Sequence, residues 1–224
     1  MPTATADRGA ARPYRSRIRA EQAMRTRSRI LGAAHRLFVE HGYPATTIRS
    51  IADGASVAVP TVELLFGTKS RLLTAVIDVA IAGDDEPVAV LDRDWATVAR
   101  RQTSARGLLR VTATVLRAAQ ERSAGVILAA YEAAASDPVV ARLVDDQEQR
   151  RAITARWMVD GVAALSPLRP GLTAGDATES VWLLMDPAVF VRLTRRRGWP
   201  PERYETWWAE SVLHLLTDNT TEER

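Results

Sequence analysis

The sequence has no cysteine, uses lysine once and contains no long hydrophobic run. Without cysteine, the protein has no disulfides, no thiol catalysis and no cysteine-ligated metal. No run of about 18 apolar residues occurs, so no membrane span is expected. The polar first twenty residues also lack the apolar stretch of a signal peptide. These absences predict a cytoplasmic protein that does not act at a membrane.

Recognisable catalytic constellations are missing as well. Residues 93 to 224 contain no nucleotide-binding loop, no histidine cluster with metal-ligand spacing and no nucleophile elbow. The three histidines, His35, His41 and His214, are far apart in the sequence. The acidic stretch "GDDEP" is better interpreted as a solvated linker than as a metal site. We therefore predict that the protein is not an enzyme and has no catalytic residue, metal site or cofactor.

Charge is distributed unevenly along the chain. The net charge is +3, but residues 1–45 hold nine arginines against three acidic residues, which leaves the rest of the chain at −3. We call residues 1–45 the basic front. Its positive charge, on an otherwise mildly acidic chain, suggests that it binds a polyanion. The alternative is that arginine is simply the preferred cation of this chain, since Lys69 is the only lysine.

Hydrophobic periodicity is helical throughout, and no strand alternation is evident. A helix is predicted over 21–41, ended by Gly42. Short helices follow at 48–54, capped by Thr47, and at 59–65, with Pro60 in the first turn. A helix capped by Thr68 then covers 69–82. Further helices are predicted near 94–101, 104–121, 124–135, 138–165, 174–197 and 201–217, with a kink or split at Pro187.

This pattern predicts an all-α protein with two domains. Hydrophobic residues make up 46% of the 224 residues, enough for a packed core. The predicted segments are a mobile basic arm (1–20), an N-terminal three-helix domain (21–82), a linker (83–93) and a helical body (94–224). Two short helices joined by a tight turn within a three-helix unit are helix-turn-helix geometry. The second short helix is the one that enters the major groove of DNA.

The stretch "ILGAAHRLFVEHGYPATTIRSIADGASVAVPTVELLFGTKSRLL" resembles the N-terminal DNA-binding domain of the TetR family of bacterial repressors. The likeness lies in "LFVEHGY", in "TT" before a short amphipathic helix, in "IA", and in the later "T", "F", "K" and "LL" at fixed spacing. It implies a DNA-binding head and a helical body that binds a small molecule and dimerises.

The resemblance also implies a DNA-contacting surface. The residues expected in it are Thr47, Arg49, Val59, Pro60, Thr61, Glu63, Leu64 and Lys69. Arg49 either reads guanine or clamps a phosphate. Thr61 either approaches a base or bonds its own helix. Lys69 matches the lysine that the family places beside the DNA backbone, the alternative being an ordinary solvated lysine.

The DNA surface departs from the family pattern at four positions. Glu63 stands where the family often has tyrosine, and phosphates repel it unless it accepts from a cytosine amino group. Leu65 replaces histidine or tyrosine. Ser56 replaces the turn glycine, and Ala58 replaces the usual serine cap. We expect the arginine-rich arm to compensate by reaching the backbone or the minor groove.

Aromatic residues concentrate in the body, which holds all six tryptophans. We expect a mostly apolar effector pocket there, the alternative being plain core packing. Its predicted lining is Tyr131, Trp157, Met158, Trp182, Met185 and Phe190. A stripe at helical spacing on the last helix is predicted to serve the core, a dimer interface or both, and consists of Tyr204, Trp208, Val212 and Leu215.

The sequence thus predicts a ligand-responsive repressor that acts as a homodimer on a palindromic operator. Its predicted partners are double-stranded DNA, a second copy of the chain and an unknown small apolar or cationic effector. Two alternatives stay open. One is an activator, or a regulator controlled by a protein partner and not by a small molecule. The other is a helical adaptor or enzyme with a vestigial DNA-binding head.

Overall fold

The computed structural model describes the backbone of residues 11–218 and the side chains of residues 20–218. This part of the chain is all-α, as predicted, and contains no strand. Its α-helices are α1 (Ala11–Ala45), α2 (Ile48–Ala55), α3 (Val59–Phe66), α4 (Lys69–Ala82), α5 (Asp94–Arg100), α6 (Ala105–Ala134), α7 (Pro138–Leu165), α8 (Ala174–Leu184), α9 (Pro187–Val191) and α10 (Pro201–Leu216). The chain divides into two compact units, Met1–Val76 and Ile77–Arg224.

The core of the first unit is built by one apolar face from each helix. Phe38 of α1 is fully buried and stacks on Tyr43 at 5.8 Å between ring centroids. Ile51 of α2 and Val62 of α3 are also fully buried. Each of these side chains points inward because the apolar positions recur at the helical period. The paired short helices α2 and α3 are thereby held on α1.

Helix α1 begins at Ala11, earlier than the predicted start at residue 21. Alanine and arginine favour helix strongly, but this stretch lacks the apolar periodicity on which the prediction rested. Residues 1–10 of the predicted arm lie outside the described part of the chain. At the other end, Gly42 has φ 75° and ψ 167°, so the regular helix does end there, as predicted.

The N-terminal caps of α2, α3 and α4 are those that the sequence predicts. The Thr47 hydroxyl accepts from the Ser50 amide at 3.0 Å, and the Ser50 hydroxyl accepts from the Thr47 amide, which completes a capping box. The Thr68 hydroxyl accepts from the Arg71 amide at 3.2 Å. Ala58 makes no side-chain cap at the start of α3, as its identity predicts.

The second unit is organised around α6, which packs against α7 and α10. It is one helix of 30 residues, where the sequence analysis predicted two, over 104–121 and 124–135. The helix continues through the apparent break, where Ala124 is buried in the core and the Ser123 hydroxyl donates to the Ala119 carbonyl at 2.8 Å. Arg117 pairs with Glu205 of α10 at 2.6 Å, and Arg106 pairs with Glu210.

The predicted helix 174–197 is split, as the position of Pro187 indicated. α8 ends at Leu184, and the Asp186 carboxylate accepts from the Ala188 amide at 2.7 Å to cap α9. Pro187 is the first residue of α9, where a missing N–H costs nothing. α9 runs directly into a π-helical turn, Arg192–Arg196.

The predicted linker is partly ordered by one ion pair. Arg93 makes two hydrogen bonds to the Asp84 carboxylate, at 2.5 and 2.9 Å. These bonds lower the pKa of Asp84 to about 2. A short 3₁₀ turn, Val90–Asp92, lies between the two partners. The two units divide at Val76, inside α4 and before the predicted boundary at residue 82.

Candidate nucleic-acid interface

Helices α2 and α3, with the turn between them, form the predicted helix-turn-helix. α3 buries Val62 and Phe66 and exposes Pro60, Glu63 and Leu64. The exposed positions follow the i, i+3, i+4 spacing of one helix face. α3 therefore presents to solvent the face on which three of the predicted DNA contacts lie.

The turn between the short helices is strained and braced by an arginine. Ser56 has φ 52° and ψ 52°, the left-handed conformation in which glycine is the usual residue. The Arg29 guanidinium donates to the carbonyls of Ala55 and Ser56, the latter at 2.9 Å. Arg27 lies over the Phe66 ring at 4.7 Å. Two arginines of the basic front thus support the fold of the head, a role that sequence spacing did not reveal.

Lys69 also has a structural role that the sequence analysis missed. Its ammonium donates to the carbonyls of Tyr43 and Thr46, both at 2.9 Å. It also lies 4.1 Å from the centroid of the Tyr43 ring. The side chain ties the start of α4 to the segment joining α1 and α2, so it is not an ordinary solvated lysine. Its contact with DNA stays a prediction.

The remaining predicted contacts lie at the surface of the head. Thr47 and Arg49 are exposed, and Val59 and Thr61 are half-buried. Arg49 forms no ion pair with any side chain between residues 20 and 218, and the Thr61 hydroxyl forms no hydrogen bond within that range. The alternative in which Thr61 bonds its own helix is therefore not found.

Charge separates between the two units. Met1–Val76 contains twelve basic and five acidic residues, a net charge of +7, whereas Ile77–Arg224 has 18 and 22, a net charge of −4. A positively charged unit that presents a helix-turn-helix suits a polyanionic duplex, because neutralised phosphates release counterions. Glu63 is the one acidic residue on the exposed face of α3.

The predicted pocket residues do not all share one environment. Met158, Met185 and Phe190 belong to the main core of the second unit, and Trp157 and Trp182 pack against it. Tyr131 lies outside that core and accepts a hydrogen bond from Arg151 at 2.9 Å. Five of the six predicted residues therefore belong to this core or border it, and the sixth lies in a polar cluster.

Arg151 is the centre of this polar cluster and was not singled out from the sequence. Its side chain is only 11% exposed, pairs with Asp186 at 3.2 Å and lies over the Trp182 ring at 4.7 Å. Burial raises the pKa of Tyr131 to about 12. The cluster links α6, α7 and the joint between α8 and α9.

Two buried side-chain oxygen atoms near the same joint have no hydrogen-bond partner among the described residues. They are Oε1 of Gln120 and the hydroxyl of Tyr204. Gln120 uses its amide nitrogen to donate to the Met185 carbonyl at 2.7 Å. Burial, with the nearby Asp186 carboxylate, raises the pKa of Tyr204. Such atoms are costly to bury unpaired.

Of the two roles predicted for the α10 stripe, three of its four residues serve the core. Tyr204, Trp208 and Val212 are fully buried in the core of their own chain. Tyr204 packs edge-on against Phe190 at 4.9 Å, and the Trp208 indole donates to the Leu184 carbonyl at 3.1 Å. They offer no surface to a second copy. Leu215 is 40% exposed and stays a predicted interface residue.

Two further features are absent from the described residues. No helix there is long and apolar enough to cross a membrane. No group of three or more histidine, aspartate or glutamate side chains in that range is placed to hold a metal ion.

A basic head with a helix-turn-helix, joined to a body of long helices, defines a DNA-binding transcriptional regulator. Residues 30–76 match the family model described as bacterial regulatory proteins, tetR family. The N-terminal helix-turn-helix segment is therefore similar to the DNA-binding domain of the TetR family. No curated protein is significantly similar to it.

Several solved structures share the fold over most of their length. A transcriptional regulator from Saccharomonospora viridis in complex with choline is 18% identical, with a TM-score of 0.64, covering 86% of this chain and 97% of that one. The fatty acid degradation regulator FadR from Bacillus halodurans is 16% identical, with a TM-score of 0.64 and coverages of 84% and 94%. NalD, the secondary repressor of the MexAB-OprM multidrug efflux pump in Pseudomonas aeruginosa, is 19% identical, with a TM-score of 0.62 and coverages of 87% and 97%.

Proposed function

We propose that this regulator is a ligand-responsive repressor that binds a palindromic operator as a homodimer in the cytoplasm. The observation that carries the proposal is the exposed face of α3, which holds Pro60, Glu63 and Leu64 on a positively charged head. A helix face of this kind fits the major groove. Nothing in the described part of the chain resembles a catalytic site, and the proposed action is binding alone.

Dimerisation follows from the reach of a single recognition helix. One helix reads only a few base pairs, whereas two related by a two-fold axis read half-sites about 34 Å apart. Exposed apolar side chains on the last helices support a self-association surface. Leu183 of α8 is 58% exposed and Leu215 of α10 is 40% exposed. We propose that both contribute to the interface.

The effector is proposed to bind in the second unit, beside the α8–α9 joint. Gln120 Oε1 and the Tyr204 hydroxyl supply buried polar atoms there, and the aromatic rings of Trp182 and Phe190 supply apolar surface. A small, mostly apolar molecule with one or two polar groups, neutral or cationic, matches this combination. An effector that favours one spacing of the two heads shifts the population away from the DNA-bound form.

Binding to the duplex upstream of the protein's own gene tests the DNA half of the proposal. We expect light scattering to give the mass of a dimer for the full chain. In a gel-shift assay, the chain should bind that duplex at concentrations where an unrelated duplex stays free. Arg49→Ala should weaken binding, whereas Arg142→Ala, an exposed arginine on α7, should leave it unchanged. A monomer with equal, weak affinity for every duplex would overturn the proposal.

Tryptophan emission tests the effector half, because all six tryptophans lie in residues 77–224. A library of apolar and cationic small molecules is titrated into the full chain. A compound that changes the emission and releases the bound duplex supports the proposal. If no compound releases the duplex and operator binding stays tight, the result would instead favour control by a protein partner.

A further inference from the structure

We infer that Leu64 and Glu63 read the operator directly, Leu64 by packing on a thymine methyl group and Glu63 by accepting from a cytosine amino group. Each half-site then contains a thymine and a cytosine under α3. The inference rests on the proposed function and adds the chemical identity of the bases to it.

Leu64 is the most exposed large hydrophobic side chain among the described residues, at 86%. It lies on the same face of α3 as Pro60 and Glu63, opposite the buried Val62 and Phe66. A leucine in this position contributes almost nothing to the core of its own chain. Its apolar surface is available to whatever the exposed face of α3 meets.

The major groove offers one apolar group to such a side chain. Thymine carries a C5 methyl group there, whereas guanine, adenine and cytosine present hydrogen-bonding groups at their edges. Because the exposed face of α3 is the part of the head that fits the groove, the partner of Leu64 is a thymine methyl.

The rest of the exposed face excludes the commonest base contacts. Pro60, Glu63 and Leu64 provide neither an arginine or lysine for guanine nor an asparagine or glutamine for adenine. Glu63 is acceptor-only when ionised, and the group in the groove that matches it is the N4 amino group of cytosine. Its carboxylate pairs with no residue between 20 and 218, so it is not committed to the fold there.

Flanking charges make a carboxylate tolerable so close to DNA. Arg49 on α2 and Arg71 on α4 are both exposed, and neither pairs with a described acidic residue. The Arg71 side chain lies beside Gly67 at the end of α3. These two arginines, on the helices before and after α3 in the chain, can hold phosphates, which leaves Glu63 to face the bases between the strands.

The first test is selection of binding sites from random duplexes with the full chain, followed by replacement of the selected thymine with deoxyuridine. Uracil differs from thymine only by the methyl group. Burying one such carbon stabilises binding by about 0.8 kcal/mol, so wild-type affinity should fall about fourfold for each thymine replaced. Leu64→Ala should bind both duplexes equally.

An exposed aliphatic residue outside the helix-turn-helix, Ile153, provides the matched control. Ile153 on α7 is 62% exposed, so Ile153→Ala removes a similar amount of exposed apolar surface outside the helix-turn-helix. The Ile153→Ala variant should lose as much affinity as wild type when thymine is replaced by deoxyuridine. We call this loss the uracil penalty. Both substitutions are at exposed positions, and equal melting temperatures of the three proteins confirm that each is folded.

Glu63→Gln tests the second contact. Glutamine donates and accepts, so it matches adenine, and the selected base should change from cytosine to adenine at one position of the half-site. Glu63→Ala should lose the preference at that position without gaining another.

Two outcomes overturn the inference while leaving the proposed function intact. One is a selected half-site made of A·T pairs alone, which lacks cytosine, or of G·C pairs alone, which lacks thymine. The other is a uracil penalty of the same size in wild type and Leu64→Ala. A chain that selects no sequence at all instead refutes the proposed function, so the two failures are distinguishable.

Discussion

The ammonium of Lys69 lies 2.9 Å from the Tyr43 carbonyl and 4.1 Å from the centroid of the ring of the same residue. A lysine suits this position because it carries a compact charge with three donors, which two converging carbonyls and a ring face can share. Arginine, used everywhere else in the chain for positive charge, is planar and presents its donors in a fixed fork. The only lysine of the protein therefore sits where a point charge is needed.

Lys69→Met should destabilise the protein by about 2 kcal/mol, because the carbonyls of Tyr43 and Thr46 lose a charged donor while the aliphatic stem is kept. Urea unfolding measures this loss. Arg71→Met is the control, since Arg71 is exposed and pairs with no acidic residue between 20 and 218. It should leave stability nearly unchanged and reduce the salt slope of DNA binding by about one unit. Equal stability losses in the two variants would contradict the bracing role of Lys69.

Ser56→Gly should stabilise the protein by about 0.5 to 1 kcal/mol, because glycine adopts φ 52° without the steric cost that serine bears. Thermal melting of the full chain checks this. Ser136→Gly, at the exposed end of α6, is the matched control, since no positive φ occurs there. The control should be neutral or destabilising. A loss of stability in Ser56→Gly would show that the serine side chain supports the turn.

Tyr204→Phe should be neutral or stabilising by up to about 1 kcal/mol, because its hydroxyl is buried without a hydrogen-bond partner in the described chain. Tyr131→Phe is the contrast, since that hydroxyl accepts from Arg151. It should cost about 1 to 3 kcal/mol by leaving a donor of Arg151 unpaired. Chemical denaturation of both variants without effector gives the comparison. A large loss in Tyr204→Phe would show that this hydroxyl has a structural partner.

Stability should fall as the pH rises from 10 towards 12. Burial raises the pKa of Tyr131 from 10.0 to about 12 and raises that of Tyr204 as well. Below pH 10 both tyrosines are protonated whether the chain is folded or not. Above pH 10 the unfolded chain loses these protons first and is stabilised by doing so. Urea unfolding at several pH values should show a shallower decline for the Tyr131→Phe, Tyr204→Phe double variant than for wild type.

The short helices of the head were predictable because their signals are local. Thr47 caps α2 through a bond to a residue three positions away, and Pro60 belongs to the first turn of α3 by its own ring geometry. The replacement of the turn glycine by Ser56 was also visible in the sequence, and the structure adds that its φ is positive. The start of α1 was missed because helix propensity without an apolar stripe leaves no periodic signal.

The roles of Arg29, Arg151 and Lys69 were not predictable, because their partners are distant in the chain. Arg29 bonds a turn 26 residues away, and Lys69 bonds a carbonyl 26 residues away. The sequence does not show whether a charged side chain contacts a phosphate, a carboxylate or a backbone carbonyl. Local pattern cannot separate these uses, so Lys69 was predicted only as a DNA contact, and Arg29 and Arg151 were given no individual role.

The helices, the helix-turn-helix and its family resemblance depend on interactions between residues a few positions apart. The order of the residues is therefore enough to predict them. The direction in which the α10 stripe faces is set by packing against α6 and α8, and this turned Tyr204, Trp208 and Val212 from interface candidates into core. A helical stripe records only that one face avoids water. Which surface covers that face depends on where the other helices lie.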